Sequence, residues 1–190
     1  MKSMLLLLLI LLTGGRIVAQ EVAHPEGHHS MKGSHRLTPG LGHAHTAEGE
    51  VDGKKQWLVL PSFSLNYDYW LSDRWAIGLQ NDLILETFVI IDEEDEELER
   101  TKPLAVVPVA YFKPGAHFTF FGGVGVEIAK EQNLTLTRLG AEYGWHLPKN
   151  WEVGIDLLWD NKWTYYNSWG LAFTFSKIFP KKHHSQETHN

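Results

Sequence analysis

Residues 57–69 read WLVLPSFSLNYDY, and two unlike faces are interleaved in them. Trp57, Val59, Pro61, Phe63, Leu65, Tyr67 and Tyr69 fall on one face and Ser62, Ser64, Asn66 and Asp68 on the other, the period of two that belongs to a strand. The pattern recurs along the chain. Trp75, Ile77, Leu79, Leu83 and Leu85 oppose Gly78, Gln80, Asp82 and Glu86, with Asn81 the exception on the apolar side. Phe118, Phe120, Val124, Val126 and Ile128 oppose Thr119, Gly123, Gly125 and Glu127. Leu139 to Trp145, Trp151 to Trp159 and Trp169 to Phe179 repeat the arrangement, so that eight segments of about ten residues lie between His35 and Phe179. The first, His35 to Thr46, and the fourth, Pro103 to Phe112, alternate poorly and leave their facing open.

Alternation alone does not say which face is buried. A soluble secreted barrel of lipocalin type would give the same pattern with Trp57, Phe63 and Leu65 inside. Three features favour the inverted arrangement, apolar outside and polar inside. Ionisable groups on the polar faces are interleaved with glycine, as a narrow, filled lumen requires. Aromatics gather at segment ends: Tyr67, Tyr69, Trp70, Trp75, Phe112, Phe118, Trp145, Trp151 and Phe179 at one rim, and Phe88, Trp159, Trp163, Tyr165, Tyr166 and Trp169 at the other. Connections also alternate, tight after segments two, four and six, and longer after one, three and seven, notably the stretch from Asp92 to Lys102, with the short one after five, around Lys130 to Asn133, the exception. The fold expected is all-β, an eight-stranded antiparallel transmembrane β-barrel.

The 190 residues suffice for one such unit. Residues 1–20, with Lys2 before an apolar run from Met4 to Leu12, read as a signal peptide cleaved near Ala19. Residues 21–34 read as a disordered His-rich tail, 35–179 as the barrel and 180–190 as a second disordered tail. The chain has no Cys, which excludes a lipid-anchored lipoprotein and a disulfide scaffold, and its formal charge of −6 offers no basic field to nucleic acid. The expected location is the bacterial outer membrane, with an even strand count placing both termini in the periplasm.

On these residues the chain resembles the small eight-stranded outer-membrane β-barrel superfamily, the outer-membrane protein X-like and W-like proteins. The resemblance covers about residues 35 to 179 and includes the last strand, Trp169 to Phe179, which is similar to the aromatic-ended signal read by barrel-assembly machinery. Pro180 to Asn190 follow that signal, so it would be read internally. The resemblance implies fold and place, with outer-membrane lipid, lipopolysaccharide and the assembly machinery as partners. It leaves activity and oligomeric state open, since the family includes adhesins and lipid-modifying enzymes.

Candidate site residues fall into groups. His43 and His45 sit two apart on the first segment; if they face inward at the outer mouth, Glu86, Glu127 and Asp160 approach the same level and could hold Zn or Cu with them. His24, His28 and His29 in one tail, and His183 and His184 in the other, offer imidazoles for loose capture of the same ions. Arg138, with Glu142 and Glu127 nearby, reads first as an electrostatic lock inside the barrel. The acidic run Asp92 to Glu99 reads as a solvated outer loop without calcium-loop spacing. No Ser, His and carboxylate form a recognisable catalytic motif, so the expected role is non-enzymatic, structural or ligand-interacting, with an enzyme acting on lipids at the rim as the rival.

Overall fold

The computed structural model describes residues 30–91 and 96–181. Among them there are ten strands and no helix: β1 (His35–Val51), β2 (Lys54–Trp70), β3 (Trp75–Ile84), β4 (Thr87–Ile91), β5 (Glu97–Thr101), β6 (Leu104–Phe112), β7 (Phe118–Ile128), β8 (Leu134–Leu147), β9 (Trp151–Asn161) and β10 (Asn167–Phe179). Eight of these form one closed antiparallel barrel in the order β1-β2-β3-β6-β7-β8-β9-β10. The seam is the β10–β1 ladder, which runs from the His35–Phe179 pair to the His45–Trp169 pair. All eight expected segments are barrel strands.

The barrel is inverted. Ser64, Asn66 and Asp68 are buried while Phe63, Leu65 and Tyr67 are exposed, and the same holds for β8 to β10. That outcome removes the lipocalin alternative, because an outer wall of Leu, Val, Phe and Trp can only be stable in an apolar surrounding. The facing left open in β1 is settled by Arg36, 2 % exposed, and Leu41, 67 % exposed: even-numbered residues point inward. In β6 both faces are apolar, Ala105, Val107, Val109 and Tyr111 lining the lumen and Leu104, Val106, Pro108 and Ala110 the wall, which is why its sequence does not alternate.

Inside, an apolar cluster of Trp70, Val107, Val109, Tyr111, Phe121 and Leu136 fills one side of the lumen. Phe121 lies over Gly140 of the neighbouring strand, where an added Cβ would come within 2.3 Å of its ring. Trp70 therefore belongs to the interior and not to a girdle. Phe88 and Tyr166 are likewise buried, in a second cluster with Leu60, Ile84, Ile90 and Leu134 at the far mouth.

The connections differ from expectation where the sequence suggested long loops. After the first segment the chain stays paired: β1 and β2 extend together as a ribbon to a two-residue turn at Asp52 and Gly53, both at positive φ (54° and 73°), the geometry that matches strand twist. A bulge between Thr46 and Gly49 marks where this ribbon leaves the barrel. The stretch read as a loop from Asp92 is partly β5, which pairs with β4 in a hairpin. Only residues 162–166 separate β9 from β10, so that connection is short as well.

Residues 30–34, expected as the end of a disordered tail, are fixed against the turn between β2 and β3. Gly33 N–H donates to Trp70 O (2.7 Å), Trp70 N–H donates to Ser34 O (3.0 Å), and Met31 packs on the lower apolar cluster. Asp73 Oδ1 accepts from Ser30 Oγ and Met31 N–H, both at 2.7 Å, and these bonds hold its carboxyl below the usual range.

Two outcomes follow. Leu171→Arg, on the outer wall, is expected to lower stability by roughly 2–4 kcal/mol in vesicle-based unfolding, as a guanidinium at the middle of a lipid-facing wall does. Because Asp73 binds its proton less readily when folded, its tie is intact above the unfolded pKa and is lost as pH falls through the folded value. The protection of the Met31 amide, its exchange rate divided into that of an unstructured peptide at the same pH, should fall with acid in that window, and Asp73→Asn should remove this change in protection.

Candidate functional site

The mouth opposite the termini is the most constructed region of the interior. Glu127 on β7, Arg138 on β8, Asp160 on β9 and Asp82 on β3 all fall on inward positions, because each is in phase with its strand's polar face. Arg138 and Asp160 are directly opposite across the β8–β9 ladder. Their side chains form a fork: Nε donates to Oδ1 and Nη2 to Oδ2, each at 2.7 Å. Nη1 of the same guanidinium donates to Gln80 Oε1 at 3.1 Å and to Asp82.

Above this pair the β4–β5 hairpin crosses the mouth. Ile90 reaches the extended part of β1 at Gly49, Phe88 and Ile90 turn down into the apolar cluster, and Arg100 of β5 points inward with no exposure. Arg100 donates from Nε (3.0 Å) and Nη2 (2.6 Å) to Glu127 Oε1 and from Nη1 to Gln132 O (2.7 Å). Tyr166 Oη donates to the same carboxylate at 2.7 and 2.8 Å. Lys162 lies between Glu127 (3.6 Å) and Asp160 (3.7 Å), donates to Ser168 and sits 4.7 Å from the Tyr166 ring.

Three cations, Arg100, Arg138 and Lys162, thus meet three carboxylates, Asp82, Glu127 and Asp160, within one buried network. Unpaired, any one of them would cost several kcal/mol in such surroundings. The space they leave is a cavity of about 30 Å³ bordered by Ser62, Asp82, Glu127, Arg138 and Asp160, polar enough and roomy enough to hold water. Ser168 beside Lys162 has the composition of a hydrolytic dyad, but Lys162 is also shared between the Glu127 and Asp160 carboxylates as a member of the network.

A second network occupies the end near the termini. Arg36 donates from Nη1 to Glu142 and Glu152, both at 2.7 Å, from Nη2 to Glu142 at 3.0 Å, and from Nε to Asp68 at 3.1 and 3.2 Å. Its guanidinium lies 5.9 Å from the Trp70 ring and 6.0 Å from Tyr111. His146 Nδ1 meets Glu152 at 2.8 Å, and Lys113 approaches it at 3.7 Å.

The residues singled out as metal ligands are not brought together. His43 and His45 are odd-numbered on β1 and face the outer wall, beside Pro61 and Leu171 and beside Val59 and Trp169 respectively. Glu86 is exposed between β3 and β4, whereas Glu127 and Asp160 are inside and committed to Arg100 and Arg138. No three His, Asp or Glu side chains are placed to share an ion among the described residues. His24, His28, His29, His183 and His184 lie outside those residues. The lock centred on Arg138 exists with other partners: Asp160 is its cross-strand neighbour, while Glu142, two inward positions further along β8, pairs with Arg36. Arg36 and Arg100 went unnoticed in the sequence, although Leu98 and Arg100 alternate with Glu97 and Glu99 as a short strand does.

No family model matches the chain and no curated protein matches it. Solved structures do. The crystal structure of Ail, the attachment invasion locus protein of Yersinia pestis, in complex with the heparin analogue sucrose octasulfate, is 13% identical over 78% of this chain and 99% of that one, with a TM-score of 0.54. OprG of Pseudomonas aeruginosa is 13% identical over 79% and 97% (TM-score 0.47), and neisserial surface protein A is 12% identical over 78% and 100% (TM-score 0.47). The fold is therefore that of small eight-stranded outer-membrane barrels, and the likeness to Ail shows the fold alone.

Arg100→Met should free the hairpin while leaving the barrel standing, since Glu127 keeps Tyr166 and Lys162. Hydrogen exchange over residues 87–91 and 97–101 is expected to speed up about 100-fold, corresponding to a loss on the order of 3 kcal/mol in local stability, with β7 to β10 unchanged.

Proposed function

We propose that this chain is a closed, non-enzymatic barrel of a bacterial outer membrane, termini in the periplasm, whose working surfaces are its lipid-facing wall and the β1–β2 ribbon. The observation that carries the reading is the interior: two ionic networks and two apolar clusters fill the lumen, and the β4–β5 hairpin covers one mouth. Eight strands enclose little more than their own side chains. The tight turns at residues 71–74, 113–117 and 148–150 share an end with both termini, and the ribbon and hairpin share the other, which supports the orientation. The apolar wall supports contact with outer-membrane lipid, and the last strand, Trp169 to Phe179, supports handling by the assembly machinery.

The far end is acidic. Glu48, Glu50, Asp52, Glu86, Glu96, Glu97, Glu99 and Glu131 outnumber Lys54, Lys55, Lys102 and Lys130 there among the described residues. A sulfated ligand of the kind bound in the Ail crystal is repelled by such a surface, so a cationic or cation-bridged partner such as lipopolysaccharide with its divalent ions fits better. The tail histidines support a second reading, weak capture of Zn or Cu, with the barrel as anchor.

Reconstituted in a planar bilayer, the protein should show no stepwise conductance, and density-gradient fractionation should place it with the outer membrane; unitary current steps would sink the closed-barrel reading. Zn titration beside a form lacking residues 21–34 and 180–190 should show binding only in the intact chain. Equal binding by both forms would refute capture by the tails.

A further inference from the structure

The end that carries the termini has the opposite charge to the ribbon end. Lys149 sits in the β8–β9 turn and Lys177 beside it on β10, with Lys177 Nζ donating to Lys149 O at 2.6 Å. Lys181 follows Phe179 and packs on Gly33, close enough that a Cβ there would meet its side chain at 2.9 Å. Lys32 is the residue before Gly33, and Arg74 lies in the turn that Ser30 and Met31 grip. These five cations form one arc over β9, β10, β1, β2 and β3. Asp73 is the carboxylate of that arc, and it is already held by Ser30 and Met31.

The arc stands at the level where the apolar wall ends. Trp151 stacks on Phe175 (centroids 4.6 Å apart), and the Lys177 ammonium lies 4.5 Å from the Trp151 ring. Phe179 and Trp75 are exposed on the same rim. An aromatic ring at the acyl boundary with an ammonium reaching past it is the arrangement that meets a phosphodiester headgroup: the ring lies along the glycerol and the cation neutralises the phosphate. Zwitterionic headgroups bring their own cation and gain less from such an arc.

We infer that Lys32, Arg74, Lys149, Lys177 and Lys181 form a docking arc for anionic phospholipid headgroups in the leaflet next to the termini. The inference rests on the reading of the wall as lipid-facing. It gives the barrel a different lipid partner at each end, phospholipid phosphate at the basic rim and cation-bridged surface lipid at the acidic one.

The test uses the protein with both tails, refolded into vesicles of phosphatidylglycerol and phosphatidylcholine in equal amounts, then released for native mass spectrometry of the lipids it retains. Phosphatidylglycerol should be retained in several-fold excess over its share of the vesicle. A variant with all five residues changed to Gln should bring that ratio close to one, since each Lys or Arg at a charged bilayer surface is worth roughly a five-fold change in binding. A variant with Lys54, Lys55, Lys102 and Lys130 changed to Gln should keep the excess. If the five-residue variant does not refold, the unmodified protein in about 0.5 M salt takes its place, where screening should abolish the preference. No excess in the unmodified protein, an excess that survives removal of the arc or the added salt, or an equal loss in the ribbon-end variant would overturn the inference while leaving the membrane reading intact. Failure to insert into any vesicle would overturn both.

Discussion

A guanidinium shut inside a protein wall must find carboxylates there, and the barrel is organised around that requirement. Arg36 and Arg138 are almost completely enclosed, each holding two or three acids from strands on different sides of the lumen. Such pairs contribute little net stability against a well-packed apolar filling, because desolvation offsets much of their attraction. Their effect is on register. A one-residue slip of any strand would turn its acid or arginine toward the outer wall and strand the partner inside. Fixing eight ladders at once is what a closed sheet of modest length most needs, and two arginines reach strands β2, β3, β8 and β9 between them.

The division of labour along the axis follows from the same constraint. Polar networks occupy the two ends, where Glu127 also meets Tyr166 and Lys162 and Glu152 meets His146 and Lys113, and the apolar side of β6 with Phe121 and Leu136 lies against them. Val107 and Val109 carry no charge to satisfy, and Tyr111 beside them meets the Arg36 guanidinium with the face of its ring. The mouth opposite the termini would expose Leu60, Ile84 and Leu134 to water, and Phe88 and Ile90 of the hairpin cover them. Arg100 fixes that cover by its bond to Glu127, so the roof is both an apolar lid and a member of the ionic network.

What the sequence made legible was whatever depends on local alternation. The eight barrel strands, the inverted faces and the tight turns at Ser72, Pro114 and Lys149 could be read because each is written in ten or fewer consecutive residues. The facing of β1 was hidden because His43 and His45, polar side chains, stand on the apolar wall while Gly40, Gly42 and Ala44 stand on the polar side. In β6 the lumen face is apolar, which no period of two can report. Five residues are too short to show a clear period, so β4 and β5 merged with the acidic run beside them, and Arg100 was lost with them. The metal constellation failed for a related reason: proximity was assumed between residues whose phase along the strand, odd on β1 and odd or even elsewhere, decides whether they share a compartment at all. Partner choice for Arg138 needed the register of β8 against β9, a long-range quantity that appears nowhere in a single strand.

Arg36 lies two residues into the first strand, while the two glutamates that grip it come 106 and 116 positions later. Their meeting therefore waits for nearly the whole chain, and the seam beside Arg36 waits longer still, for Phe179. A partly folded sheet offers this guanidinium Asp68 on the neighbouring strand and otherwise only water, so a half-built barrel lacks the two glutamates that complete its shell. Closure and burial have to arrive together. The leading strand stays incomplete until the trailing one is delivered, which makes the open sheet, before its seam forms, the vulnerable stage in the making of this molecule.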